Sequence, residues 1–376
     1  MKKVMYVHHG DIKGGAPMSL RFLLDKIDRK KYETTVICRV SEEESHFFEV
    51  NNTKVICEKK IKPFHGSTVS GIDFKQIIYN FVYALPTYYS MRKIVKEKKP
   101  DVVHLNSTCL FMCAKAVKSV DKNIKVICHI REPLLNNIWG WILKVMSNKY
   151  CDYFIAIDEF DKKSVDPKSK KTSVIYNFVD FGVFDFQKKS NVLRIELDLD
   201  YNSVIFLVLA RISQENGILE LIDTWSTDIH DNKSQLVIVG EIPGREEEYT
   251  KKCHAISDKT ENIHILSFRS DTVDVIASAD VIICPFVQPH FARMVVEGAA
   301  MKKPAISNDI DGPKELIIDN ETGVFYSQIG QLKGIVEKLT YNDNLRERMG
   351  ENAYSRAKEL FNAEINANRT FELYEW

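Results

Sequence analysis

The chain has 376 residues, of which 44% are hydrophobic and 28% charged, with 52 Lys/Arg against 52 Asp/Glu. That length suits two domains at roughly 150 residues each, and the apolar content with balanced charge excludes an intrinsically disordered chain. The longest strongly apolar run, Val204 to Ala210 with its flank, is far shorter than the roughly 20 residues of a membrane span. The stretch Val4 to Val7 is too short for the apolar segment of a secretory signal, about 7–15 residues.

Residues 1–180 carry 31 Lys/Arg and 20 Asp/Glu, a net of +11, and residues 181–376 carry 21 and 32, a net of −11. A split of this kind points to two domains with different partners, the basic one suited to anionic lipid or an anionic substrate. Eight cysteines are present, most of them in Val/Ile-rich runs such as Val36–Cys38, Val55–Cys57 and Val126–Cys128, and there is no Cys-x-x-Cys pair. They read as reduced, buried, small apolar residues of a cytoplasmic protein.

In chain order, short Val/Ile-rich runs at 4–8, 34–40, 54–57, 101–105, 125–130, 153–157 and 173–176 alternate with helical spacing, as at 16–27 and 74–98. The segment 180–201 has little periodicity and reads as a linker. The rhythm then restarts with strands at Ser203, Gln235, Asn262, Ala279 and Pro304, and the tail 332–376 reads as helical. Continuous apolar strands separated by helices imply parallel sheets covered on both faces. The expected architecture is α/β, with two doubly wound, Rossmann-like domains: 1–180, 181–355, and a C-terminal helix over 356–376 crossing back to the first. Ligands of such sheets sit at the carboxyl ends of the strands.

Those strand ends hold the candidate residues. The first strand runs into His8-His9-Gly10-Asp11-Ile12-Lys13-Gly14-Gly15, where paired glycines before a helix allow a tight turn and expose amides to an anion. The pattern is not Gly-x-Gly-x-x-Gly, and no acidic residue closes the second strand, so a nicotinamide dinucleotide is disfavoured. Arg211 follows the strand at Ser203, and a fixed guanidinium there suits a diphosphate. A helix beginning near Phe291 offers a second amide cradle through Phe291, Ala292, Arg293 and Met294. Glu297, one turn in among apolar residues, needs a partner: sugar hydroxyls, or Arg293 four residues earlier.

The run Phe291 to Pro304, with Asp311-Gly312, Glu315-Leu316 and Thr322-Gly323 beyond it, resembles the donor-binding signature of glycosyltransferase family 4, whose members share the GT-B fold. Arg211 to Gly217, Val174 to Asp180, Phe268 to Asp271 and the glycine turn at Lys13 resemble its other blocks in the same order. The resemblance implies a retaining, hexosyltransferase-type enzyme that needs no metal or other cofactor. It would move a sugar from a nucleotide-sugar donor to a glycan or lipid-linked acceptor, in surface polysaccharide or glycoconjugate assembly. It gives Glu297 the nucleotide ribose, Arg211 the diphosphate, Gly14 and Gly15 amides near the donor phosphate, and His129 a place beside the donor sugar. Two positions depart from the family pattern: Pro289 stands where its first glutamate falls, and Asn216 where its diphosphate lysine falls. Arg293 is the expected substitute cation. His104, Arg131 and Glu132 are the acceptor-side candidates, Arg131 and Glu132 being equally placed to pair with one another.

Trp139 and Trp141, with the aromatics Phe81, Tyr83, Tyr88 and Tyr89 and the basic run Arg92 to Lys99, extend the reading to peripheral contact with an anionic membrane, at the inner face of the cytoplasmic membrane. Two other readings stand beside transfer: a non-catalytic sugar-nucleotide-binding homologue, and a sugar-nucleotide epimerase of the same shape. Nucleic acid is not an expected partner.

Overall fold

The computed structural model describes every residue except Lys13, Val69, Ser70, Gly71, Pro167, Ser169, Pro243, Arg245 and Trp376. Lys13, the first residue of the glycine turn, and Trp376 at the end of the tail therefore lie outside the described residues. The chain divides into two compact units, residues 1–177 with 363–376, and residues 178–362.

The first unit is a seven-stranded sheet of order β3-β2-β1-β4-β5-β6-β7. Its strands are β1 (Lys2–Val7), β2 (Tyr32–Cys38), β3 (Lys54–Cys57), β4 (Val102–Leu105), β5 (Lys125–Ile130), β6 (Tyr153–Ala156) and β7 (Thr172–Val174). Every neighbouring pair is parallel. Val103, Val126, Phe154 and Met5 are essentially sealed from water, which is why these strands read as continuous rather than alternating apolar runs. The helix Phe74–Lys98 starts at a capping box between Asp73 and Gln76 and stops at Lys99, which is left-handed at φ 49°.

The second unit is a six-stranded sheet of order β10-β9-β8-β11-β12-β13. It comprises β8 (Val204–Leu209), β9 (Ser234–Glu241), β10 (Ile263–Ser267), β11 (Val281–Cys284), β12 (Ala305–Asn308) and β13 (Gly323–Tyr326), again all parallel. The sequence reading lacks β13, four residues long and without a strong Val/Ile run. It also lacks the short helix Val192–Glu196 inside the unpatterned stretch.

The tail is three helices, Leu332–Thr340, Asp343–Leu360 and Ala363–Glu375. Phe361 stays with the second unit because its carbonyl accepts from the Val179 amide at 2.9 Å. The last helix belongs to the first unit. Lys2 Nζ donates to the Tyr374 carbonyl at 2.8 Å and to Glu375 Oε2 at 2.7 Å, and the Tyr32 hydroxyl donates to Glu375 Oε1 at 2.6 Å.

Candidate functional site

In the second unit the turn after β8 is built on hydrogen bonds to its own backbone. Asn216 Nδ2 donates to the Arg211 carbonyl at 2.8 Å, and the Gly217 amide to the Gln214 carbonyl at 3.0 Å. Gly217 has φ +63°, and a Cβ there would lie 2.2 Å from the Pro285 carbonyl oxygen. This close approach seats the turn against the end of β11 and leaves Arg211 exposed at the strand end. Asn216 is buried and supports the Arg211 turn, so it does not take up the role of the lysine it replaces.

The loop from Pro285 is fixed from the other side. Gly312 has φ +90°, and a Cβ there would meet the His290 carbonyl oxygen at 2.2 Å. The His290 ring stacks on Phe286 with centroids 3.9 Å apart. Burial lowers the His290 pKa, and the neighbouring Arg211 charge adds to that effect. The ring is thus neutral at pH 7, close to the cation assigned to the donor.

The helix after this loop begins at Arg293, two residues later than the sequence suggests, and no side chain caps it at Ala292. Its first-turn amides are therefore open to an anion. Arg293 Nε donates to Glu297 Oε1 at 2.7 Å, so the intraprotein partner considered for this carboxylate is present. Burial raises the Glu297 pKa against the opposing pull of Arg293. Oε2 has no hydrogen-bond partner among the described residues, so one carboxylate oxygen is held while the other is available to a hydroxyl. Phe291 is half-buried and Ala292 and Met294 are buried, so the last two pack the helix start rather than reach outward.

In the first unit Gly14 has φ +101° and precedes the helix Gly15–Lys26 with no capping side chain, so this turn also presents uncapped amides. Behind it runs a buried polar chain. The Tyr374 hydroxyl lies 3.1 Å from that of Tyr6 and 2.5 Å from His104 Nδ1, and His104 Nε2 lies 2.8 Å from His129 Nδ1. The two imidazoles stack at 4.9 Å. Burial lowers the pKa of His104 to about 3 and that of His129 well below the usual imidazole value, with the Arg131 charge acting in the same direction. Both rings are neutral at pH 7. Arg131 donates through Nε to Asn106 Oδ1 at 2.8 Å and through Nη1 to Asn177 Oδ1 at 3.1 Å. His104, an acceptor-side candidate in the sequence, lies inside this chain at 1% exposure, between Tyr374 and His129.

Beside the chain opens a cavity of about 440 Å³, walled by His9, Asp11, Arg39, His65, Ser67 and Glu132 among others. Glu132 accepts from Ser107 Oγ at 3.2 Å, and burial raises its pKa. Burial likewise lowers that of His9 to about 3. A mixture of neutral imidazoles, hydroxyls, carboxyls and one guanidinium suits a polyhydroxylated ligand. Sequence reasoning finds Glu132 here but misses Arg39, His65 and Ser67, which come from two loops with no local pattern. It also misses Tyr374, some 270 positions from His104. Among the described residues no three His, Cys, Asp or Glu side chains converge as a metal site, and all eight cysteines are free.

Residues 13–182 match the family profile of Glycosyltransferase Family 4, and residues 190–356 that of Glycosyl transferases group 1. The chain belongs to glycosyltransferase family 4. This family 4 glycosyltransferase is 24% identical over 193 residues to the capsular polysaccharide biosynthesis glycosyltransferase CapM of Staphylococcus aureus, a match spanning 50% of each chain. It is 22% identical over 333 residues to the N,N'-diacetylbacillosaminyl-diphospho-undecaprenol alpha-1,3-N-acetylgalactosaminyltransferase of Campylobacter jejuni, over 82% of this chain and 86% of that one. The Anabaena protein HepE, solved with UDP and glucose, superposes over 100% of both chains with a TM-score of 0.81 at 17% identity. The fold is GT-B, and the enzyme is a glycosyltransferase.

Proposed function

We propose that the enzyme transfers a hexose-type sugar from a nucleotide sugar to a glycan or lipid-linked acceptor, with retention of configuration, without a metal, on the cytoplasmic side. The observation that carries the donor half is the Arg293–Glu297 pair. It holds one carboxylate oxygen at 2.7 Å and leaves the other to a ribose hydroxyl, one turn inside an uncapped helix start. Arg211 and the open amides take the diphosphate, whose charge grows as the glycosidic bond breaks. The UDP bound by HepE makes a uridine nucleotide the first to try.

The acceptor half rests on the cavity lined by Arg39, His65 and Glu132. We assign His129 to positioning the transferred sugar. It is buried, neutral and oriented by His104, which suits a hydrogen bond to a sugar hydroxyl better than proton abstraction. In a retaining front-face transfer the leaving phosphate takes the acceptor proton, so no protein base is needed.

The test is a thermal-shift panel of UDP-, GDP-, ADP-, CMP- and dTDP-linked sugars in EDTA, followed by NMR of the product anomer. One nucleotide should stabilise the protein by about 2.7 kcal/mol at 100 times its dissociation constant, and the product should keep the donor's configuration. Binding without turnover would favour the non-catalytic homologue, a reading supported by Pro289 and by the structural use of Asn216. An inverted product would overturn the mechanism.

A further inference from the structure

The helix Phe74–Lys98 buries one face and exposes apolar residues on another. Its inner face buries Asn80, Thr87, Met91, Ile94 and Val95. Its outer face presents Phe74, Ile78, Phe81, Leu85 and Tyr89 at successive intervals of three or four, all exposed, with Phe81 at 69%. An amphipathic helix of a globular protein turns polar residues to water; along this stripe they follow the apolar residues, at exposed Lys93 and Lys96.

The helix Ile138–Tyr150 repeats the design. Ile138, Trp141 and Val145 are exposed along one stripe, Trp141 at 57%, and the stripe ends at exposed Lys149. The two helices meet through Phe81, whose ring stands edge-on to Trp139 at 6.0 Å. Between them they carry Lys75, Arg92, Lys93, Lys96, Lys98, Lys144 and Lys149 against the single acid Glu97.

We propose that this paired outer face docks on an anionic lipid bilayer, lying in the interface with its lysines on the head groups. A stripe of exposed aromatics and aliphatics bordered by lysines, almost without acids, is complementary to such a surface. No described helix is long and apolar enough to cross a membrane, so the contact is interfacial. The face also adjoins the cavity. Pro63 and His65 line that cavity, while Phe64 between them packs on Trp139 at 6.1 Å and Phe111 at 5.1 Å. Asn80 of the Phe74 helix holds His65 through both backbone groups, at 2.7 and 2.9 Å. A bilayer under this face would thus present the head of a lipid-linked acceptor beside the cavity wall. That last step rests on the acceptor reading above; docking itself does not.

The test is flotation of the full chain with vesicles of phosphatidylcholine, or of phosphatidylcholine with one-third phosphatidylglycerol. The protein should float with the anionic vesicles and stay down with the neutral ones. Leu85→Ser with Trp141→Ser should lower partitioning roughly a hundredfold, and Lys93→Gln, Lys96→Gln and Lys149→Gln about fivefold each. The unfolding midpoint and the donor-induced thermal shift should match the parent protein in every variant. Absence of flotation, or flotation unchanged in the Leu85/Trp141 variant, overturns the proposal. So does a stable dimer in light scattering that the same variant dissociates, which would give the face to a second copy. Flotation without any donor-induced shift would instead count against the transferase reading and leave the docking face standing.

Discussion

The two units share a parallel-sheet architecture and differ at their strand ends. In the second, strand ends are drawn together: Gly217 and Gly312 let loops approach backbone carbonyls to a distance no side chain would permit. The recess beside Arg211 is about 10 Å³. In the first, the strand ends stand back around a cavity of about 440 Å³, walled in part by the neutral histidines His9 and His65. Backbone amides with a few fixed charges suit the invariant part of a substrate, a nucleoside diphosphate. A roomy cavity of mixed side chains suits the part that varies, an acceptor.

The contrast breaks most visibly at Arg211. Arg211→Ala should lower kcat/KM by roughly a hundredfold or more, the scale for removing one preorganised charge on a leaving group. Steady-state kinetics should place the loss on the donor, with the acceptor KM little changed. An equal loss on the acceptor side would erase the division between the units.

Acid should act mainly on the first unit. His8, His9, His104 and His129 all have pKa values lowered by burial, His8 to about 4 and His9 and His104 to about 3. Each is neutral when folded and gains a proton on unfolding once the pH falls below the ordinary imidazole value of ~6.5. The unfolded chain then binds more protons, so stability is full above that pH and falls by about 1.4 kcal/mol per pH unit for each histidine below it. Glu132 and Glu297, raised by burial, act in the opposite direction. Histidines outnumber them, so the unfolding midpoint should drop from about pH 7.5 to about pH 5. The drop should be smaller in His104→Phe.

Gly217→Ala should cost about 2 kcal/mol, from positive φ and a carbonyl 2.2 Å from the new Cβ. Gly14→Ala, at φ +101° but with nothing within 4 Å, should cost about 1 kcal/mol. Chemical denaturation orders the two; equal losses would show that the tight packing of the second unit adds nothing beyond backbone strain.

The smallest effect sharpens the role of the buried polar chain. Tyr374→Phe removes the hydroxyl at His104 Nδ1 and should cost about 1 kcal/mol of stability. As a positioning residue acting through His104 on His129, it should lower kcat severalfold with the donor KM unchanged. A purely structural tyrosine would leave kcat alone at temperatures well below unfolding.

This division also decides what the sequence reveals. Strand positions and the parallel sheets follow from apolar runs, because a strand buried on both faces has no polar positions to blur it; the strand order does not. Only short β13, lacking Val/Ile density, escaped. Arg211, Glu297 and the glycine turn are legible because each lies within a few residues of a strand end or helix start, where local spacing determines what the side chain can do. Arg39, His65, Ser67 and Tyr374 are not, because tertiary folding alone brings them to Glu132 or His104. His104 shows the limit from the other side. Its place in the sequence parallels that of His129, yet its ring is sandwiched between Tyr374 and His129 and does not face a ligand.

The most direct test of the central claim, a nucleotide-binding unit paired with an acceptor-binding one, is calorimetric titration of the preferred nucleotide sugar into Glu297→Gln and Glu132→Gln. Donor affinity should fall about tenfold in the first, from loss of one charge-assisted hydrogen bond, and stay at the parent value in the second. Equal affinities in both variants, or a loss confined to Glu132→Gln, would contradict the assignment of the donor to the second unit.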